Sequence, residues 1–369
     1  MKTPEYLEKN IVLGYPIDKL GNPFRMLFLD IETTGLSPQD ASIYMIGCAF
    51  FGREGLHVRQ FFADDPAEEG AILNAFISFL KDYDTLITFN GNKFDIPFLE
   101  KRAARYGMDT GLSAKKGLDI YKRIRPYRAL LSLPDMKQKT LERFLGVDRI
   151  DRMSGGDLIS VYKRYASDGG SEECLDLLLE HNHDDLCGLP PLLSLLAYPD
   201  VINGEIKPER AVKNNYKDYE GVTKTELIIE FTFDIPVPEP VSTGFSDCYL
   251  MLGGKKGKIR VAILEDTLKF FYPDYKSYYY LPTEDRAIHK SAARYVDAKY
   301  REQAKAENCY VKVTGQFLPE WKEIITPAFK NELNDKTMYF ELSDEIKNDP
   351  EVFRRYAGHL MDIILKERG

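Results

Sequence analysis

The sequence of 369 residues holds one tryptophan and only five histidines, and no apolar run approaches the ~20 residues that a membrane-spanning helix needs. A transmembrane helix is therefore not expected. The five cysteines, Cys48, Cys174, Cys187, Cys248 and Cys309, are scattered, and no pair has C-x-x-C spacing. That pattern indicates neither a cysteine zinc site nor a disulfide framework. The opening residues, Met1-Lys2-Thr3-Pro4-Glu5-Tyr6, lack the apolar core of a signal peptide, so a cytoplasmic protein without membrane attachment is expected. Excess positive charge is missing too. A net charge of −8 disfavours a protein that coats nucleic acid by bulk charge. It leaves room for one that holds a nucleic-acid end in a local cleft where metal ions neutralise phosphate. Internal repeats and low-complexity tracts are also absent.

What is present is an ordinary globular composition, 44% hydrophobic and 29% charged, over a length that suits two domains. The stretch that stands out is Met26-Leu27-Phe28-Leu29-Asp30-Ile31-Glu32-Thr33-Thr34-Gly35-Leu36. Its apolar run is too short for a lone helix and reads as a buried strand. Asp30 and Glu32, two apart, then share one face of that strand. Adjacent carboxylates repel, and a shared proton, a protein cation or a metal ion must offset the repulsion.

Around this strand the pattern predicts an α/β fold. Ile43–Phe51 and Leu56–Phe62 read as further strands of an antiparallel meander, with Gly52-Arg53-Glu54-Gly55 as the turn. Glu68–Tyr83 has helical spacing, Thr85–Asn90 is a short strand, and Asp95 opens a helix that ends near Gly107. Residues 112–165 are expected to be mainly helical, with Ser154 as a candidate N-cap. A helix from Glu172 should be kinked or restarted by Pro190 and Pro191. The first domain is expected over residues 1–198 and a polar linker over 199–222.

Residues 223–369 differ in kind. Thr225–Phe233, Cys248–Leu252, Lys258–Leu264, Thr267–Tyr272 and Ser277–Leu281 read as strands, followed by a helix over 283–306, a strand at 310–313 and a closing helix over 350–366. This predicts an α+β accessory domain with an antiparallel sheet. Gly253 to Arg260 reads as a basic turn beside aromatic strands, more simply a solvated hairpin tip than a nucleic-acid platform.

Two further acidic signals lie downstream of the opening strand. In Asn90-Gly91-Asn92-Lys93-Phe94-Asp95 a strand ends, loops and presents Asp95 at a helix mouth, where a carboxylate caps free N–H groups and can still face a metal. In His181-Asn182-His183-Asp184-Asp185, His181 and Asp185 are four apart and share a helix face, joining a possible general base to a possible ligand. Lys137 and Lys139 lie between these two signals, most simply on a solvated helix face.

Together the three stretches resemble the exonuclease motifs of the DEDD, or DnaQ-like, superfamily, with greatest likeness to YprB-type ribonuclease H-like domains, over about residues 25–197. The resemblance implies a ribonuclease H-like mixed sheet flanked by helices and a 3′→5′ exonuclease. Asp30, Glu32, Asp95 and Asp185 match the acidic ligands of two Mg²⁺ or Mn²⁺ ions, and His181 matches the residue that activates the attacking water. Thr33, Gly35 and Leu36 match residues that meet the terminal nucleotide. Asn90 would brace the second motif, and Phe94 falls with it among the substrate-binding positions. The implied partner is single-stranded or 3′-ended DNA or RNA. The third motif here is His-x-x-x-Asp, which keeps His183 open as a second candidate base. A non-catalytic nucleic-acid-binding protein and a structure-specific endonuclease on the same fold are the alternatives.

Overall fold

The computed structural model describes residues 1–147, 155–167, 169–204, 206–347 and 349–366. The candidate N-cap Ser154 lies outside the described residues. Two units emerge, one of residues 1–203 with 235–239 and one of residues 204–234 with 240–369.

The first unit is built on six strands: β1 (Glu5–Glu8), β2 (Met26–Thr33), β3 (Ile43–Phe51), β4 (Leu56–Phe62), β5 (Thr85–Thr88) and β6 (Lys116–Asp119). Their spatial order is β1-β4-β3-β2-β5-β6. The β1–β4, β4–β3 and β3–β2 pairs are antiparallel, whereas β2–β5 and β5–β6 are parallel. The predicted meander is therefore present, and the sheet is mixed as the resemblance implies. The strands β1 and β6 were not expected. Both are four-residue edge strands, EYLE and KGLD, too short and polar to carry an apolar signature. The second falls inside the stretch expected to be helical.

Helices α1 (Glu69–Leu80), α2 (Asp95–Arg105), α3 (Ile120–Ile124), α4 (Arg128–Leu131), α5 (Gln138–Phe144), α6 (Gly155–Ser167), α7 (Glu172–Leu192) and α8 (Ala197–Asn203) complete the unit. Alternation along β2 divides its side chains. Leu27, Leu29 and Ile31 join a core with Ile72, Phe76, Phe98 and Leu99 of α1 and α2. Burying each such side chain stabilises by about 1.5–3 kcal/mol before chain entropy is charged against it. Asp30 and Glu32 consequently face the other side of the sheet, where α7 lies. A second core packs Tyr44, Met45 and Phe62 against Tyr162, Tyr165 and Leu178 of α6 and α7.

Helix α7 runs through Pro190 and Pro191 to Leu192 rather than breaking before them. Pro190 and Pro191 offer no N–H to the Leu186 and Cys187 carbonyls, and the α-helix gives way two residues later to a 3-10 turn over Leu193–Leu196 before α8, the restart expected of them. Most of the segment expected as a linker carries regular structure among the described residues: α8 reaches Asn203, and β7 (Lys207–Lys217) pairs along its length with β8 (Thr223–Phe245).

In the second unit β9 (Cys248–Ala262) completes the β7-β8-β9 sheet. It is one continuous strand, which removes the expected turn at 253–257. Gly257 serves packing instead: a Cβ there would lie 2.1 Å from the Phe231 ring. A second sheet has the order β10 (Leu264–Phe271), β14 (Tyr310–Glu320), β15 (Met338–Glu341). A third contains β11 (Tyr278–Leu281), β12 (Arg286–His289) and β13 (Glu302–Gln303), in the order β12-β11-β13. The helix expected over 283–306 is thus replaced by this small sheet and the single turn α9 (Lys290–Ala293). Asp285 adopts φ 49 in the tight turn between β11 and β12, a conformation that no α-helix continues. Helices α10 (Asp344–Lys347) and α11 (Pro350–Lys366) close the chain. Among the described residues no helix is long and apolar enough to cross a membrane, and the five cysteines are free thiols.

Candidate metal centre

The site forms where β2 meets α7. Asp30 lies opposite Gly47 of β3, and a Cβ on Gly47 would come within 2.1 Å of Asn182 Oδ1 and 2.7 Å of Leu186 Cδ1. Glycine at this position is what lets α7 approach the sheet. Asn182, fully buried, donates from Nδ2 to Asp30 Oδ2 at 2.8 Å. Its Oδ1 accepts from Gln60 Nε2 of β4 at 2.9 Å, and the same amide nitrogen reaches Leu179 O. A chain of amides thereby orients Asp30. The sequence pattern assigns no role to Asn182, Gln60 or Gly47. A glutamine on the otherwise apolar face of β4 formed by Leu56, Val58 and Phe62 is the one signal that could have pointed to them.

One helical turn along α7 supplies the rest. His181 Nε2 is 3.3 Å from Asp185 Oδ2 and 3.8 Å from Glu32 Oε1. One ligand atom from each of Glu32, His181 and Asp185 lies within 4.8 Å of the others. Two hard carboxylate oxygens at this spacing suit a divalent cation, and the imidazole nitrogen beside them is placed either to join its shell or to take a proton. The other oxygen of Glu32 accepts a long bond, 3.4 Å, from the buried Tyr44 hydroxyl, whose ring stacks on Tyr162. Gln138 of α5 donates to the Asp185 carbonyl at 2.7 Å and so fixes the helix backbone at that ligand.

Asp95, buried at the start of α2, accepts from Ile31 N at 3.1 Å and so reaches the backbone between Asp30 and Glu32. The loop before it is held by Asp119 at the end of β6, which accepts from Asn90 N, Asn92 N and Lys122 N at 3.0–3.1 Å. Asn90 itself takes φ 62, a left-handed conformation that asparagine tolerates. Asp119 thus anchors this loop, reaching position 90 through its backbone N–H. Sequence reasoning misses this residue because its loop partners lie about thirty positions away.

Electrostatics bind these acids into one system. Burial, followed by the charges of Asp95, Asp185 and Glu32, raises the Asp30 pKa well above the carboxylate range, and the Asn182 amide works in the opposite direction. Glu32 is pushed up to about 8 by burial and then by the Asp185 charge, with Lys139 of α5 acting to lower it. Asp95 is pushed up to about 7 by burial, against its backbone hydrogen bonds. Several buried carboxylates facing one another hold their negative charge only at a cost, and a cation among them removes that cost.

The two histidines separate. His183 points away from the acids, with Nε2 3.3 Å from Glu8 Oε1 and its ring edge-on to Tyr6. Its hydrogen bond with Asp184, then its contact with Cys187, push its pKa up to about 10. Of the remaining sequence candidates, Thr33 is buried and its Oγ1 donates to Gly35 O at 2.7 Å, shaping the turn that follows a β-bulge after Glu32. Leu36 is 85% exposed just beyond that turn. Phe94 packs against the core and tilts onto Phe98, so its ring belongs to the fold more than to an open surface. Lys139 is half-buried and Lys137 exposed.

Residues 27–197 match the family model of the RNase H superfamily. A DNA polymerase of Methanocaldococcus jannaschii is 32% identical over 81 residues, which make up 20% of this chain and 5% of that protein. The chain therefore spans a small fraction of that curated relative. Among solved structures, the family B DNA polymerase of Pyrobaculum calidifontis aligns with a TM-score of 0.39 at 15% identity, covering 73% of this chain and 40% of that one. NrnC of Brucella melitensis, solved bound to pGG, aligns at 0.34 and 16% identity over 50% of this chain and 78% of that one.

Proposed function

With residues 27–197 forming an RNase H superfamily domain, we propose that this chain is a metal-dependent nuclease that removes nucleotides from the 3′ ends of DNA or RNA. The observation that carries the reading is the convergence of Glu32, His181 and Asp185 beside the buried acids Asp30 and Asp95. In this reading Asp30, Glu32, Asp95 and Asp185 hold two Mg²⁺ or Mn²⁺ ions. Such ions stabilise the charge that develops on the attacking and leaving oxygens of a phosphodiester.

The chain's own residues do the remaining work. His181, placed between Glu32 and Asp185, accepts the proton of the attacking water at Nε2, and the flanking carboxylates stabilise the imidazolium that results. The same geometry favours His181 over His183, which is engaged with Glu8. Asn182 and Gln138 keep Asp30 and α7 in register. Thr33, Gly35 and the exposed Leu36 would lie against the terminal nucleotide, and Asn90 would set the loop that presents Asp95. The second unit, residues 204–234 with 240–369, would act as an accessory domain.

The test is the purified chain with Mg²⁺ or Mn²⁺ on single- and double-stranded DNA and RNA labelled at the 5′ end, beside an Asp30→Asn control. Stepwise shortening from the 3′ end that needs metal and Asp30 is expected. Internal fragments would favour an endonuclease on the same fold, and binding without cleavage would favour a non-catalytic nucleic-acid-binding protein.

A further inference from the structure

The stretch from β12 to β13 in the second unit is locally basic within an acidic chain, although Glu284, Asp285 and Glu302 flank it and Arg286 pairs with Glu284. Residues 286–301 contain Arg286, Lys290, Arg294, Lys299 and Arg301 against the single carboxylate of Asp297, in a protein of net charge −8. The tyrosines of β11 alternate. Tyr278 and Tyr280 pack on the small core of Ala287, Ala304 and Cys309, which turns Tyr279 to the other face. There Lys290 Nζ lies 5.3 Å and Arg301 Cζ 4.9 Å from the Tyr279 ring centre. Arg301 also donates to the Ala293 carbonyl, which ties the segment after α9 back onto this face. Two more tyrosines project from that segment, Tyr295 at 82% and Tyr300 at 54% exposure, each with a neighbouring cation, Arg294 or Lys299, within 5 Å of its ring.

We propose that this face, carried by Tyr279, Lys290, Arg294, Tyr295, Tyr300 and Arg301, binds single-stranded nucleic acid. The exposed rings of Tyr295 and Tyr300, with Lys290 and Arg301 held in place by the half-buried Tyr279, offer what a single strand needs, because bases stack on rings while phosphates meet charges. Tyrosine also offers this contact at low conformational-entropy cost. A folded duplex hides its base faces and would leave the rings unused, so the single strand is the form the surface fits. The inference deepens the nuclease reading by adding a contact for its substrate, and it rests on that reading only for preferring nucleic acid over other polyanions.

The test uses the full chain in EDTA, where no cleavage occurs, and the anisotropy of a labelled single strand of about 20 nucleotides, long enough for one such surface. Binding by the wild type is expected to weaken at least tenfold in Lys290→Glu/Arg294→Glu. The slope of log affinity against log salt should flatten by roughly 0.7 for each phosphate that the variant no longer neutralises. Tyr295→Ala/Tyr300→Ala should lose roughly 5- to 150-fold per stacked base, whereas Tyr295→Phe/Tyr300→Phe, which keeps the rings, should bind as wild type. No binding by the wild type, or equal binding by the charge-reversed chain, overturns the proposal. So does a charge-reversed chain that loses affinity for phosphatidylserine vesicles while keeping the oligonucleotide. Cleavage assayed in parallel with Mg²⁺ separates the two ideas. Metal-dependent cleavage with patch-independent binding sinks the surface alone, and patch-dependent binding without cleavage sinks the nuclease reading alone.

Discussion

Glu69 and Asp30 are both buried acids of the six-stranded unit, and they are held in opposite ways. Glu69 is fully buried and receives Arg102 through both carboxylate oxygens, with Ile43 N at 2.7 Å and Tyr106 Oη at 3.0 Å completing its shell. The fold supplies that acid with its own cation. Asp30 receives the neutral Asn182 amide and faces Asp95, Asp185 and Glu32. Burial of a carboxylate therefore does not by itself mark a metal site. What distinguishes the β2 cluster is several like charges facing one another, a repulsion that a cation from solution would offset.

The sharpest way to break this contrast is to neutralise each member. Asp30→Asn should lower metal-dependent cleavage by about 10³-fold or more, the scale of losing several kcal/mol of charge stabilisation, as measured by single-turnover rates. Without metal the same variant should melt no lower than wild type, because it removes repulsion rather than a partner. Arg102→Met should do the reverse. It leaves Glu69 buried without a cation and should cost about 3–5 kcal/mol in urea unfolding, most of it recovered in Arg102→Met/Glu69→Gln.

Adding the cation sharpens the comparison further. At a hundredfold excess over the dissociation constant, Mn²⁺ should stabilise the wild type by about 2.7 kcal/mol, seen as a raised Tm, and Asp185→Asn should lose most of that increment. The smallest effect concerns a third buried acid, Glu320 of the second unit. It accepts from Ile324 N and Ile325 N at 3.1 and 3.3 Å, and burial pushes its pKa up to about 7 from an ordinary 4.5. The folded chain then holds a proton that the unfolded chain has released. Its contribution is present below pH 4.5 and is lost as pH rises towards 7. A loss on the order of 1–3 kcal/mol is expected in stability measured across that window, and Glu320→Gln should flatten it.

The acids of the site were legible because each lies on a regular element with a readable period: Asp30 and Glu32 on an apolar strand, His181 and Asp185 on one helix face. Their supports were not. Gln60, Asn182, Gly47 and Asp119 act across 27 to 152 positions of chain, through contacts that exist only once β3, β4, β6 and α7 have assembled. The edge strands escaped notice because edges are kept short and charged. At 283–306 the alanines favour a helix locally, yet pairing of β11 with β12 and β13 prevails, a case of tertiary structure overriding propensity.

Mn²⁺ titration of the full chain, with free ion followed by electron paramagnetic resonance, addresses the cluster at β2 and α7 without reference to any substrate. Saturable uptake of about two ions per chain, lost or halved in Asp30→Asn and untouched in Arg102→Lys, is the predicted result. Uptake that ignores Asp30→Asn, or no uptake by the wild type, would contradict the account.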